Sequence, residues 1–292
     1  MSKARTFATC LIFALAKAAF ASPAVAAPIE VPVGVSDNLG PRIAGILKTN
    51  PDVCTKDDVY SSKWLRTSLE FVILCRAIRL GGVEATYRIM SYPNSARTRA
   101  ELLKGSVLTM VDFPWGAFSN NKTLYKSAAV LKVGEFVKGV YTRPDHTALL
   151  KVKTLKGLRK FTAVSSKTWV YDWDALERMQ VRKHSVAKYG QMGKMVASGR
   201  VDFLVSEFPG ASDLSQYING VRFIPVPGLK VALLGSRHAV VSKRHPNAKP
   251  VFAAIQSGLK IMRARGLIKL GYRAVGFFNP RVADWKVLCC SE

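Results

Sequence analysis

Two stretches of the chain, 102–111 (LLKGSVLTMV) and 196–205 (VASGRVDFLV), follow one pattern. In each, the end of a helical segment is followed by a glycine, Gly105 or Gly199, and then by an apolar run with the character of a strand. A turn that contains a proline follows each run, and the two glycines stand 94 positions apart. Two half-units with the same order of elements predict two similar lobes.

Strands and helices alternate on both sides of these stretches. The first half has predicted strands at 30–35, 86–91 and 107–111 and helices at 64–80 and 97–104. The second half has strands at 161–165, 182–187 and 201–205 and helices at 173–179 (capped by Asp172) and 191–198. Two extended segments, 128–143 and 231–242, are predicted to join the lobes, and a helix over 248–270 is predicted to pack on the first lobe. This order predicts an α/β fold with parallel sheets.

The N-terminus has the layout of a secretory signal peptide. Lys3 and Arg5 precede a mostly apolar segment at 7–20, and 24–26 reads AVA, with small residues where a signal peptidase cleaves. A membrane anchor is the alternative, but the uncharged apolar run is shorter than the ~20 residues that a span needs. We therefore predict a signal peptide at 1–26, a mature protein that begins at Ala27, and a periplasmic location.

The chain is strongly basic, with a formal net charge of +25. Such a field favours an anionic ligand, an anionic membrane surface or nucleic acid. The basic residues are scattered singly and form no run of five or six, which argues against nucleic acid as a partner. A basic solvated surface and an anionic ligand both remain open at this point.

The residues that could carry covalent or metal chemistry do not form a known pattern. The four histidines are dispersed, and the sequence contains neither a GxSxG elbow nor a phosphate-binding loop. Four cysteines follow the signal peptide (Cys54, Cys75, Cys289 and Cys290), and an even number in an exported protein allows two disulfides with three pairings. We predict no metal, no cofactor and no enzymatic activity.

Ligands of open α/β sheets bind beyond the carboxyl ends of the strands, which gives a set of candidate ligand-binding residues. The candidates are Asp37, Arg97, Asp112, Trp115, Ser165, Trp169 and Glu207. Arg97 could clamp an anion or be a solvated residue at a helix start. Each tryptophan could stack on a ligand or pack in the core. Glu207 could hold a cationic group or neutralise a nearby basic residue.

Two segments resemble a known family. The stretch 199–209 (GRVDFLVSEFP), and 242–272, which opens SKRHPNA and closes LGY, resemble type II periplasmic substrate-binding proteins of the polar amino-acid class. The resemblance implies two α/β lobes joined by a two-strand hinge, with lobe 1 at 27–138 and 236–292 and lobe 2 at 139–235. It implies a monomeric solute-binding protein that captures a small polar or anionic molecule by hinge closure for an ABC-type permease.

The resemblance also implies particular roles and two alternative functions. Glu207 stands where the family has an acid that holds the amino group of its ligand, and we predict that it faces Arg97 across the cleft. The tail returns to lobe 1 in the family, which implies a disulfide from Cys54 to Cys289 or Cys290. The family arginine that binds an α-carboxylate is missing from 115–121, which disfavours an amino-acid ligand. A lyase-like periplasmic enzyme and a sensing module for a membrane receptor are the alternatives on this fold.

Overall fold

The computed structural model of the protein describes residues 27–36, 39–57 and 59–288. The predicted signal peptide 1–26 lies outside the described residues, and so does the candidate Asp37. Within these ranges, none of the helices has the length and apolar character that crossing a bilayer requires.

The elements alternate much as the sequence predicts. The strands are β1 (Ile29–Ser36), β2 (Ala85–Tyr92), β3 (Thr109–Met110), β4 (Leu124–Leu131), β5 (Val137–Thr142), β6 (Thr162–Ser165), β7 (Arg182–Ser185), β8 (Phe203–Glu207), β9 (Gln216–Ile218), β10 (Val221–Ala232), β11 (Arg237–Ser242) and β12 (Lys286–Val287). The helices are α1 (Gly40–Thr49), α2 (Arg66–Leu80), α3 (Ser95–Lys104), α4 (Gly116–Ser119), α5 (Thr147–Leu150), α6 (Leu155–Leu158), α7 (Val170–Arg178), α8 (Tyr189–Ala197), α9 (Ala248–Ala264) and α10 (Leu267–Ala274), with a 3-10 turn at Pro280–Val282. Asp172 lies inside the first turn of α7, whose N-cap is Trp169, so the predicted cap is wrong.

The strands form two sheets, one in each lobe. The first has the order β2-β1-β3-β11-β4, and β1 pairs in parallel with both β2 and β3. The second has the order β12-β10-β5-β8-β6-β7, with β9 beside β10, and β6 pairs in parallel with β7 and β8. The two-lobed α/β fold predicted from the sequence is confirmed.

The repeated helix–glycine–strand pattern is present in both lobes. Gly105 follows α3 with a φ of 90°, and Gly199 follows α8 with a φ of 72°. A glycine at this position ends a helix in the left-handed region without a Cβ penalty. The chain then enters β3 in the first lobe and β8 in the second.

Two neighbouring segments cross between the lobes and form the predicted hinge. One joins β4 to β5 and the other joins β10 to β11. They are hydrogen-bonded to each other, since the Leu233 amide donates to the Phe136 carbonyl over 2.8 Å and the Gly134 amide donates to the Leu233 carbonyl over 3.3 Å.

The C-terminal tail crosses between the lobes as well. Strand β12 pairs in parallel with β10, and the Leu288 amide donates to the Lys230 carbonyl over 2.8 Å. The indole of Trp285 packs edge-on against Phe208 of the second lobe. The sequence analysis placed the whole of 236–292 in lobe 1, and for this tail that placement is wrong. The remaining lobe boundaries stay a prediction.

The disulfide differs from the predicted one. Cys54 is bonded to Cys75, and their Cα atoms are 5.3 Å apart. Cys75 lies on the buried helix α2, and the segment after α1 carries Cys54 against it. The predicted bridge from Cys54 to Cys289 or Cys290 is therefore wrong, and the tail that was to supply it runs to the second sheet instead.

Candidate ligand-binding cleft

A cavity of about 390 Å³ lies between the two lobes. Arg66 reaches it from the start of α2, Lys138 from β5 beside the hinge, and Glu207 from the end of β8. Trp169, just before α7, and Phe277, in the crossing tail, add aromatic walls. Elements of both lobes thus contribute to this cavity, which we call the cleft.

Arg66 stands at the centre of an ion-pair network that joins the lobes. Its Nε lies 3.1 and 3.0 Å from the two carboxylate oxygens of Glu207, on the opposite lobe. Its Nη1 donates to Glu70 over 2.6 Å, and its Nη2 donates to Asp112 over 3.3 Å. One guanidinium therefore holds two carboxylates of its own lobe and one of the other lobe.

The burial of this network determines its charge states. The Arg66 side chain is only 9% exposed, and burial alone would lower its pKa, but the carboxylates of Glu207, Glu70 and Asp112 outweigh burial and raise it well above the ordinary value. Glu70 is fully buried, and this burial raises its pKa despite the attraction of Arg66 and Arg237. Arg66 is accordingly a permanent cation.

A second arginine fixes Asp112 behind Arg66. Arg237 donates from Nη2 to the Asp112 carboxylate over 2.6 Å and from Nε to the Phe113 carbonyl. Its guanidinium lies over the ring of Trp115, 4.8 Å from the centroid. Burial would raise the pKa of Asp112, but Arg237 and then Arg66 outweigh it and lower the pKa. Asp112 also has a φ of 63°, a left-handed backbone that an aspartate tolerates better than most residues.

The Glu207 carboxylate is more exposed than the two cations beside it. The side chain of Glu207 is 33% exposed, against 9% for Arg66 and 10% for Lys138, and Lys63 is the exposed cation of the cleft. The Lys138 ammonium is already paired with Asp172 at 2.5 Å. Burial would raise the pKa of Glu207, but Arg66 and then Lys138 outweigh it and lower the pKa, so the exposed group is an anion.

A neutral polar cluster lines the same cleft beside Glu207. The Tyr189 hydroxyl and the Ser206 hydroxyl donate to Gln216 Oε1 over 3.2 and 3.1 Å. With its oxygen occupied in this way, Gln216 directs its Nε2 amide elsewhere, and this buried nitrogen has no hydrogen-bond partner among the described residues. A buried N–H group without a partner is costly, so an acceptor supplied by a ligand would be favourable.

Three of the sequence candidates lie at or beside the cleft. Glu207 and Trp169 line it. Asp112 lines a smaller adjoining cavity of about 190 Å³, which shares Leu65 and Arg66 with the cleft. Whether these three side chains contact a ligand stays a prediction.

Arg97 does not face Glu207, so that part of the prediction is wrong. Its side chain is 55% exposed and its Nη2 lies 2.8 Å from Glu101, one turn further along α3. Arg66 takes the place opposite Glu207. Arg97 thus shows the solvated helix-start geometry that the sequence left open as an alternative.

Trp115 and Ser165 line neither of the two cavities. The Trp115 ring packs on Phe136 and Tyr171, with centroids 5.1 and 4.3 Å away, so it belongs to the packing beside the hinge. Ser165 is buried at the end of β6, and its hydroxyl oxygen has no hydrogen-bond partner among the described residues.

Sequence reasoning missed Arg66, Lys138 and Gln216. One local signal was available for Arg66, because a basic residue and Glu70 stand four positions apart at the start of a long apolar helix. Lys138 and Gln216 reach the cleft from a hinge strand and from a short strand after a turn, and neither has a local pattern that marks it.

Two α/β lobes, a two-strand hinge and a cleft between them define the fold of the type II periplasmic substrate-binding proteins. No family model matches the sequence, and no curated protein matches it either. Solved structures do match. The probable amino-acid ABC transporter extracellular-binding protein ytmK from Bacillus subtilis has a TM-score of 0.57 at 13% identity, over 85% of this chain and 98% of that one.

Two further structures have the same fold. The VFT2 domain of BvgS from Bordetella pertussis has a TM-score of 0.53 at 15% identity, covering 84% of this chain and 92% of the domain. Substrate-binding domain 2 of GlnP from Lactococcus lactis, in an open conformation, has a TM-score of 0.51 at 11% identity, covering 86% and 97%. At these identities the likeness establishes the fold.

Proposed function

We propose that this chain is an exported, monomeric solute-binding protein that captures a small polar molecule in the cleft by hinge closure. The observation that carries the proposal is the exposed Glu207 carboxylate beside the unpartnered Gln216 amide, in a cavity to which both lobes contribute. A ligand that bridges the lobes shifts the population of open and closed forms.

The chemistry of the cleft selects the kind of ligand. A cation that leaves water needs a charge partner and hydrogen bonds, and Glu207 offers a carboxylate for a protonated amine. The rings of Trp169 and Phe277 add favourable faces for such a group. The amide of Gln216 and the exposed Lys63 suit an acceptor or anionic group at the other end of the ligand. The proposed ligand therefore has a protonated amine and a polar or anionic group.

The closed, occupied form would then dock on an ABC-type permease, which is the partner that we propose. A receptor that senses occupancy is the alternative partner, and a lyase-like enzyme on the same fold is the alternative activity. One structure with this fold, ytmK, is a probable amino-acid ABC transporter extracellular-binding protein, which supports the permease as partner.

Purification without refolding, followed by mass spectrometry of the released small molecules, identifies the ligand. Calorimetry with that compound then compares the wild type with Glu207→Gln and with the control Glu177→Gln, which removes an acid that is 66% exposed on α7 of the same lobe. We expect Glu207→Gln to weaken binding by roughly 1.5–3 kcal/mol, the scale of a charged hydrogen bond, and Glu177→Gln to leave it unchanged. Equal affinities in all three proteins would refute the ligand role of Glu207, and conversion of the compound to a product would favour the enzyme.

A further inference from the structure

The cleft does not account for the large positive charge of the protein. Two of its three cations are buried and paired, Arg66 with three carboxylates and Lys138 with Asp172, and Lys63 alone is exposed. Most of the excess positive charge therefore lies on the surface outside the cleft.

The charge is concentrated in the part of the chain that contains the last two helices. From 214 to 283 there is no Asp or Glu in 70 residues, whereas the same stretch contains 12 Lys and Arg. Helices α9 and α10 lie within it and cover the first lobe. Any carboxylate that pairs with the Lys and Arg of this stretch must therefore come from another part of the chain or from another molecule.

Two exposed lysines of α9 share one helix face. Lys249 and Lys260 lie, at 3.6 residues per turn, in a narrow sector opposite the buried Val251 and Ile255. Arg263 is exposed at the edge of this sector, where its Nη2 donates to the carbonyls of Ala129 and Val130. Arg265 points to a flank, where its Nη1 lies 3.6 Å from Asp57. The outer face of α9 thus presents two lysines about 17 Å apart along the helix.

Helix α10, which follows α9, adds further exposed basic residues. Lys269 and Arg273 are exposed one turn apart, and Leu270 beside them is 48% exposed although it is a large apolar residue. We define the basic face as the exposed residues Lys249, Lys260, Lys269, Leu270 and Arg273 of these two helices. None of these residues lines the cleft or the smaller cavity, so the face is separate from the proposed ligand site.

We propose that the basic face docks the protein on an anionic membrane surface. A helix face of spaced cations with an exposed leucine among them matches an array of lipid phosphates over an apolar layer, which attracts the cations and accepts the leucine at the interface. The basic face lines neither of the two cavities, which distinguishes it from the positively charged channels that track a nucleic-acid backbone. Docking would hold the first lobe at the membrane and leave the cleft free to open and close.

The test is cosedimentation of the purified protein with phosphatidylcholine vesicles that contain or lack phosphatidylglycerol. The variant Lys249→Gln/Lys260→Gln/Lys269→Gln removes three exposed lysines for which the structure shows no ion pair or side-chain hydrogen bond among the described residues. The control Lys151→Gln/Lys156→Gln/Lys160→Gln removes the same charge from three exposed lysines of the second lobe, which are likewise without ion pairs in the described structure.

We expect the wild type and the control to bind the phosphatidylglycerol vesicles, and the face variant to bind at least about tenfold more weakly, since each lysine near an anionic surface contributes about fivefold before screening. Binding should weaken as salt shortens the Debye length from about 10 Å at 0.1 M to about 3 Å at 1 M. Addition of vesicles should slow amide hydrogen exchange in 248–274 and not in 147–158.

Equal losses in the two triple variants would show that total charge alone acts and would overturn the docking face. Failure of the wild type to bind phosphatidylglycerol vesicles at 0.1 M salt would overturn the membrane as partner. Binding of soluble heparin or DNA in the same experiment would not rescue the proposal. Circular dichroism and thermal melting confirm that the variants are folded, as exposed lysine substitutions change stability little. These outcomes are independent of the ligand in the cleft, so the proposed function can fail or stand separately.

Discussion

We expect Glu207→Gln to open the ligand-free protein. In the structure the Glu207 carboxylate accepts hydrogen bonds from Arg66 Nε across the cleft, so the two lobes are tied to each other before any ligand is bound. The amide keeps the shape of the side chain but loses the charge. Its NH2 group would also face the Arg66 guanidinium, which has no hydrogen-bond acceptor. Arg66 keeps Glu70 and Asp112 as partners, so the variant should still fold.

The size of this effect follows from the burial of the pair. A hydrogen bond to a charged group contributes about 1.5–3 kcal/mol. Because Glu207 is 33% exposed, solvent screening reduces this to about 1–2 kcal/mol. A change of that size alters the ratio of closed to open forms by a factor of about 5–30.

The measurement is a distance distribution between spin labels on the two lobes after the bound compound has been removed. Labels attached through unnatural amino acids at Lys249 and Lys156, both exposed, leave the cysteines untouched. Glu207→Gln should shift the distribution to longer distances, and Glu177→Gln should not. A wild-type distribution that is already open, or identical distributions in Glu207→Gln and the wild type, would refute the role assigned to the Arg66 pair.

Three other predictions concern the buried carboxylates, the disulfide and the Gln216 amide. The interlobe tie should weaken in acid, because the pKa of Glu207 is lowered from about 4.5 and its stabilisation, present above that value, is lost as pH falls through the folded-state pKa. The pKa of Asp112, which holds Arg66 within the first lobe, is lowered from about 3.8, and its contribution is lost in the same sense. Melting curves and label distances between pH 6 and about 2 would report both losses. Reduction of the Cys54–Cys75 disulfide should cost about 3 kcal/mol in the chain-entropy model, and denaturant unfolding with and without reductant checks this; a free Cys54 in non-reducing peptide maps would contradict the bond itself. Gln216→Leu should weaken ligand binding about tenfold, the worth of one hydrogen bond of about 1.4 kcal/mol, and unchanged calorimetry would exclude its amide as a contact.

The fold was accessible from sequence because its signals are local. A glycine that ends a helix in the left-handed region, as Gly105 and Gly199 do, is followed by an apolar strand in both lobes. The hinge was accessible for the same reason, since two extended segments separate the half-units. The tail was not predicted, because β12 is only two residues long and the contacts beside it, such as that of Trp285 with Phe208, join distant positions without a local pattern.

The candidate site was only partly accessible, because its partners come from distant parts of the chain. Glu207 ends a strand, and the position alone placed it at the edge of the sheet. Its partner Arg66 comes 141 positions earlier and is held by rings of the hinge and the tail, Phe136 and Phe277. Arg97 had the expected position at a strand-to-helix exit, but a glutamate one turn later offered a nearer partner than the cleft.

Net charge is a property of the whole surface, and here it does not describe the binding site. A charge of +25 left both an anionic ligand and a basic solvated surface open when only the composition was known. In the folded chain two of the three cations that reach the cleft, Arg66 and Lys138, are buried against carboxylates, and beside them the carboxylate of Glu207 is 33% exposed. The unpaired charge lies instead on exposed positions such as Lys249 and Lys260 of α9, where a counter-charge must come from outside the molecule. One composition therefore supports two different partners, a ligand with a protonated amine in the cleft and an anionic surface beneath the first lobe.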